Sequence, residues 1–284
     1  MPILPKSAYD INLPEMYHVK QIFPDTELKD ITKKIDEDFK SDEIASSVKA
    51  GQSIAVLVGS RGICDLNITV KSTIDNLIRL GTKPFIVPAM GSHGGGVAEE
   101  QRKIIEGYGI TEEAMGVPIK ASMETVITGE TSEGVPVHID KNAYNADGIV
   151  PVGRVKVHTD FDGPIESGLC KMLAIGGGKH NGCSRLHREG FDKFPVLIPQ
   201  VAEIMLTTLN VPFGVAIIEN AQEKIYNVEI VAGDKITERE PELLRISKSL
   251  MPKLQFKEID VLVVEQIGKD ITGAGMDPNI TGRK

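Results

Sequence analysis

Residues 53–90 read "SIAVLVGSRGICDLNITVKSTIDNLIRLGTKPFIVPAM". The run 53–60 is short, apolar and uninterrupted, as expected of a strand buried on both faces. Val70, Ile74, Leu77 and Ile78 then recur at i, i+4, i+7 and i+8, which puts one apolar stripe on a helix over 66–80 that ends at Gly81. The run 84–90 is apolar again and predicts a second strand. Strand, helix, strand with continuous apolar strands predicts an α/β fold built on a parallel sheet.

The alternation extends outward. A helix is expected over 27–49, opened by Pro24, Asp25 and Thr26 and stopped by Gly51. Another covers 97–107, with Glu99 and Glu100 in the first turn, where the helix dipole favours acids. Residues 117–140 suggest short strands and turns, among them "PVHID" at 136–140. Strands are predicted at 147–158, 213–220, 226–233 and 260–266. Helices are predicted at 165–174, around Leu197, Val201, Ile204 and Met205, and at 240–251. The expected class is α/β, a mainly parallel sheet with flanking helices and a small strand-rich insertion.

Composition narrows the function. Of 284 residues, 41% are apolar and 25% charged, ordinary values for a globular protein. A net charge of −8 argues against a general nucleic-acid binder. Cys64, Cys170 and Cys183 are odd in number and lack CxxC spacing, which fits a reducing cytoplasm. The first sixteen residues, "MPILPKSAYDINLPEM", hold no long apolar run, so neither a leader nor a membrane partner is expected. Oligomeric state is left open.

Ligands of open α/β sheets sit at the carboxyl ends of the strands. Three loops fall there: "GSRG" (59–62), "GSHGGG" (91–96) and "VHTDFDG" (157–163). They bring Arg61, His93 and His158 toward one pocket. Arg61 suits bidentate grip of a carboxylate, or pairs with a surface acid. His93 precedes three glycines at an expected helix start, an anion-binding arrangement or a simple turn. Asp160 and Asp162 follow His158 and are placed to orient its ring, or the histidine is only a hydrogen-bonded loop residue. A P-loop is excluded, because Leu173 and His180 stand where GxxxxGK[ST] needs glycine and a hydroxyl. GxSxG, HExxH, a zinc cysteine cluster and a strand-linked GxGxxG are absent too.

"AMGSHGGG" followed by "VHTDFDGPIESGLCKMLAIGGGKHNGCSRLH" resembles the nickel-dependent lactate racemase family, in its N-terminal domain. A histidine in a glycine-rich loop, a second histidine, a lysine, and a histidine sixteen residues past it carry the resemblance. It implies a nickel-pincer nucleotide, the nickel complex of pyridinium-3,5-bisthiocarboxylate mononucleotide. Carried over residue by residue, Lys171 is the tether, His187 the nickel ligand, His93 and His158 the paired acid/base residues, and Arg61 a substrate contact. The reaction implied is racemisation or epimerisation of a small 2-hydroxy acid, by hydride transfer to and from the cofactor. Two imidazoles near ~6.5 suit the accompanying proton exchange. Gly176, Gly177 and Gly178 are expected to turn the chain back so that both anchors reach one cofactor, and to admit its phosphate; Lys179 and His180 rank lower. Cofactor-synthesis proteins are implied as transient partners.

Two departures leave the particular acid open. Gly59 and Ser60 stand where the family has an aspartate before the arginine, and thirteen positions separate His158 from Lys171. Residues 1–266 read as the N-terminal α/β domain, and 267–284, "IGKDITGAGMDPNITGRK", as the start of a crossover to a C-terminal domain. Two alternatives stand beside this reading: a non-catalytic metabolite-binding module of the same fold, and a lyase or hydrolase using His93, His158 and His187 around zinc or iron.

Overall fold

The computed structural model describes residue 15 and residues 17–60, 62–268 and 275–282. In chain order the α-helices are α1 (Ile31–Asp38), α2 (Asp42–Ala45), α3 (Leu66–Arg79), α4 (Ala98–Glu106), α5 (Glu112–Met115), α6 (Lys141–Tyr144), α7 (Leu169–Lys171), α8 (Lys179–His187), α9 (Phe194–Thr208), α10 (Ile236–Leu250) and α11 (Pro278–Thr281). The strands are β1 (Ser53–Val58), β2 (Lys83–Pro88), β3 (Thr125–Glu130), β4 (Pro136–Asp140), β5 (Gly148–Arg154), β6 (Phe213–Glu219) and β7 (Ile225–Ala232).

Among the described residues, five strands form one sheet in the order β2-β1-β5-β6-β7. The first four run parallel, and β7 returns antiparallel to β6. In β1, Ile54, Val56 and Val58 pack with Ile35, Val70, Ile74 and Ile105 on one face. Ala55 and Leu57 pack with Leu173, Leu197 and Val201 on the other. Burial on both faces explains why the strands read as unbroken apolar runs. Each buried valine, leucine or isoleucine contributes roughly 1.5–3 kcal/mol. β3 and β4 form a separate antiparallel ribbon, the expected insertion.

The topology decides where chemistry can gather. β2, β1 and β5 are neighbours and parallel, so the loops after Val58, Pro88 and Arg154 emerge side by side at one sheet edge.

Several expected elements differ. The helix over 27–49 divides into α1 and α2, because Ser41 ends the first run and its hydroxyl caps Ile44 N–H of the second. The helix expected from 165 begins at Leu169; Ser167 is still held extended by paired backbone hydrogen bonds with Lys156. Residues 260–266 form no strand. That segment makes no ladder among the described residues, and its side chains stay outside: Val261 is 80% exposed and Val263 85%. An apolar run specifies a strand only where a neighbour accepts its backbone. No helix among the described residues is long and apolar enough to cross a membrane.

The contrast between the two apolar runs is testable. Val263→Ser should change the unfolding free energy by less than about 0.5 kcal/mol. Val215→Ala, in the core of β6, should cost roughly 1–3 kcal/mol. Urea denaturation of both variants checks the pair; equal losses would contradict the assignment.

Candidate functional site

After β2 the chain curls through Gly91, Gly94, Gly95 and Gly96, all left-handed at φ between 60° and 68°. Only glycine takes four such positions without cost. His93 lies exposed in this loop with an extended backbone, and its Nδ1 is 2.5 Å from Ser60 Oγ of the β1 loop. The loop hangs on a buried side chain of α4: Gln101 Nε2 donates to the carbonyls of Gly91 at 2.9 Å and His93 at 3.0 Å. The glycines do not themselves open the helix. α4 starts at Ala98 behind Val97, so His93 stands ahead of the helix rather than at its first turn.

His158 follows β5. Glu166, wholly buried, accepts His158 N–H at 2.7 Å and Gly163 N–H at 3.3 Å, and its charge is met by Lys248 Nζ at 2.7 Å. Asp160 N–H donates to His158 Nδ1 at 3.1 Å. The neutral ring therefore carries its proton on Nε2. The ring stacks on Phe161 at 4.4 Å between centroids.

Lys171 ends α7, and its Nζ is 5.8 Å from the centre of the Phe161 ring. The start of α7 is capped from across the structure: Glu240 of α10 accepts Cys170 N–H at 2.9 Å. Burial pushes the Glu240 carboxyl up to about 7, against the backbone hydrogen bonds from Cys170 and Leu169. Cys170 and Cys183 are free and buried, as packing residues.

Between the anchors, Met172–Gly177 form a π-helical turn. Gly176 and Gly177 are helical, Gly178 is the turn residue that follows with right-handed dihedrals, and all three are buried. A Cβ on Gly176 would meet Ala89 O at 2.7 Å, and one on Gly177 would meet Ile139 Cδ1 at 2.8 Å. Their small size thus serves close packing on the ends of β2 and β4. The chain does break, but at Lys179, which has φ +55°. A left-handed lysine costs about 1–2 kcal/mol. Its Nζ is wholly buried, donating to Pro88 O at 2.6 Å and Gln101 Oε1 at 2.8 Å, with Asp140 Oδ2 at 3.8 Å. Desolvation lowers its pKa to about 8, opposed by Asp140. A phosphate contact is therefore not its role. His180 packs against Gly96.

α8 then carries His187. Its Nδ1 lies 2.7 Å from Cys183 O, which directs the neutral ring's proton there and leaves Nε2 with the lone pair. The Cys183 thiol, also beside Nδ1, raises the pKa against burial, and the charge of Lys171 works the other way. His187 meets Phe194 and Phe191 edge-on at 5.1 and 5.5 Å. Phe161 meets Phe194 at 5.5 Å. His158, Lys171 and His187 therefore border one aromatic cluster. His93 joins through its loop, since Gly91 abuts Cys183 and Ser92 Oγ is 3.6 Å from Cys183 Sγ.

Arg61 lies outside the described residues; its neighbours are held where Glu219, paired with Arg154, accepts Cys64 N–H at 2.8 Å. No group of three or more His, Cys, Asp or Glu able to hold a metal exists among the described residues, so a three-histidine zinc or iron centre finds no support there. Gln101, Glu166 and Glu240 were not anticipated. For two of them the signal was present: Glu240 shares the buried face of α10 with Ile236, Leu243 and Leu244, and Gln101 shares that of α4 with Ile105.

Against known proteins, the lactate racemase N-terminal domain model matches residues 6–191. Among solved structures, the fold is similar to the lactate racemase apoprotein from Thermoanaerobacterium thermosaccharolyticum, with TM-score 0.53, 12% identity and 76% of this chain covered. This chain spans 55% of that protein's length. No curated protein matches by sequence.

Gly176→Ala should destabilise the fold by roughly 1–3 kcal/mol, read as a fall in Tm; an unchanged Tm would mean that the π-helical turn has room. Glu240 has a folded pKa above that of an unfolded glutamate. Its contribution is therefore full below about 4.3 and lost as pH rises through about 7. Across that window it should remove on the order of 3 kcal/mol. Glu240→Gln should flatten the pH dependence of urea denaturation between pH 5 and 8; parallel curves for the two proteins would refute it.

Proposed function

The chain belongs to the lactate racemase N-terminal domain family, and from that premise we propose that it racemises or epimerises a small 2-hydroxy acid with a nickel-pincer nucleotide. The observation that carries this reading is the convergence of His158, Lys171 and His187 on the Phe161–Phe191–Phe194 cluster. The residues fit the group. A metal whose other bonds come from its own nucleotide needs one protein ligand, and His187 offers one imidazole with Nδ1 already engaged at Cys183 O. Lys171, half-buried beside Phe161, is the lysine that would carry the tether. When bound, the group supplies a reversible acceptor for the hydrogen at the substrate's Cα.

The protein's share is proton handling and orientation. Inverting a 2-hydroxy centre requires that the hydroxyl proton leave and return for either enantiomer. One imidazole suffices for one hand, and a second is needed for the other. His93 and His158 take these parts from two different strand loops. Ser60 orients His93 through Nδ1, and the Asp160 amide fixes the His158 tautomer. Arg61 would grip the substrate carboxylate. Phe161, Phe191 and Phe194 lower the local polarity, which strengthens each of these interactions. Proteins that build and install the nucleotide are the partners this reading requires, in the cytoplasm.

The test is co-expression with the cofactor-synthesis enzymes, followed by intact mass and nickel analysis. The wild type should gain mass at Lys171 and hold nickel. Lys171→Ala should lose both, and His187→Ala should keep the added mass and lose the metal. His93→Ala and His158→Ala should keep both and turn over roughly 10²–10⁴-fold more slowly. A Lys171→Ala variant that stays active would end the proposal.

A further inference from the structure

We propose that Lys179 and Gln101 form a buried relay that positions His93, so that the second lysine of the "GGGK" stretch works on the acid/base loop and not on a cofactor. Three observations carry it. Lys179 adopts a left-handed backbone that a lysine rarely takes, although a glycine stands immediately before it. Its ammonium is completely buried and donates to Pro88 O, the last residue of β2, and to Gln101 Oε1. Gln101, equally buried, turns its amide nitrogen to the carbonyls of Gly91 and His93.

The relay has a direction. The ammonium can only donate, so it fixes which end of the Gln101 amide faces it. The nitrogen must then face the loop, where two carbonyls wait. Without Lys179 the Gln101 oxygen is left buried with no donor, and the amide is held from the loop side alone. The four left-handed glycines around His93 give the loop little stiffness of its own, so its contacts place it; Ser60 and Cys183 touch it at side chains, and Gln101 holds two of its carbonyls. Asp140 balances the buried charge from the opposite side while its other oxygen caps α6. Lys179 and Gln101 touch no reacting atom; they are positioning residues. The inference rests on the reading of His93 as an acid/base residue only for its catalytic consequence.

The test separates the two. Gln101→Glu keeps an acceptor for Lys179 and places a carboxylate oxygen against the carbonyls of Gly91 and His93. Hydrogen exchange followed by mass spectrometry should show residues 90–97 exchanging about ten-fold faster, as expected for the loss of one or two hydrogen bonds. β1 and α9 should exchange as in the wild type. Lys179→Met should loosen the same segment, and both variants should shift the His93 imidazole nitrogen signals while leaving those of His158 in place. Wild-type exchange at 90–97 in Gln101→Glu would overturn the relay. So would equal acceleration in every segment, which would mean a general role in folding. If Lys179→Met does not fold, Gln101→Glu decides alone. Undiminished turnover in cofactor-loaded His93→Ala would sink the acid/base reading without touching the exchange result.

Discussion

A backbone group buried at the end of a sheet must find a partner, because each one left bare costs roughly 1–3 kcal/mol. The loops after β2 and β5 and the helix that leads to Lys171 carry such groups, and regular structure does not satisfy them. Buried polar side chains from other elements do. Gln101 holds the loop of His93, Glu166 the loop of His158, and Glu240 the start of α7. Two of these are in turn answered by a lysine, Lys179 for Gln101 and Lys248 for Glu166. The candidate site is thus suspended from the core by three polar posts. The hydrophobic effect builds the sheet and packs rings against His158 and His187, while these posts fix the backbone that carries His93, His158 and Lys171.

The sheet was legible because both of its faces are covered. Strands buried on two sides must be apolar at every position, and such runs at 53–60, 84–90 and 213–220 correspond to β1, β2 and β6 within two residues. The same logic misreads 260–266, where the apolar run has no partner and stays exposed. Start and stop signals at 24–26 and Gly51 also joined α1 to α2, because they do not show a serine hydroxyl between them competing as a cap.

At the site, residue types and spacing brought out His93, His158, Lys171 and His187. What they concealed was backbone conformation. Three consecutive glycines look like a turn, yet the first two are helical, and the left-handed break falls on the lysine after them. Nothing in a single sequence distinguishes a glycine that bends the chain from one that lets two backbones touch. The same holds for Lys179: its position beside glycines suggests an anion, and only burial with Pro88 O and Gln101 shows a structural cation.

The π-helical turn at Met172–Gly177 and the break at Lys179 turn the distance between Lys171 and His187 into a gauge of chain length. Sixteen residues of uninterrupted α-helix would span about 24 Å. Here both ends border linked aromatic rings. One residue more or fewer in this segment would rotate α8 by about 100°, presenting Leu186 or Arg188 in place of His187. Exchange of side chains along 172–186 is therefore compatible with the arrangement wherever packing allows, whereas insertion and deletion are not. The interval is fixed by geometry even where the letters within it are free to drift.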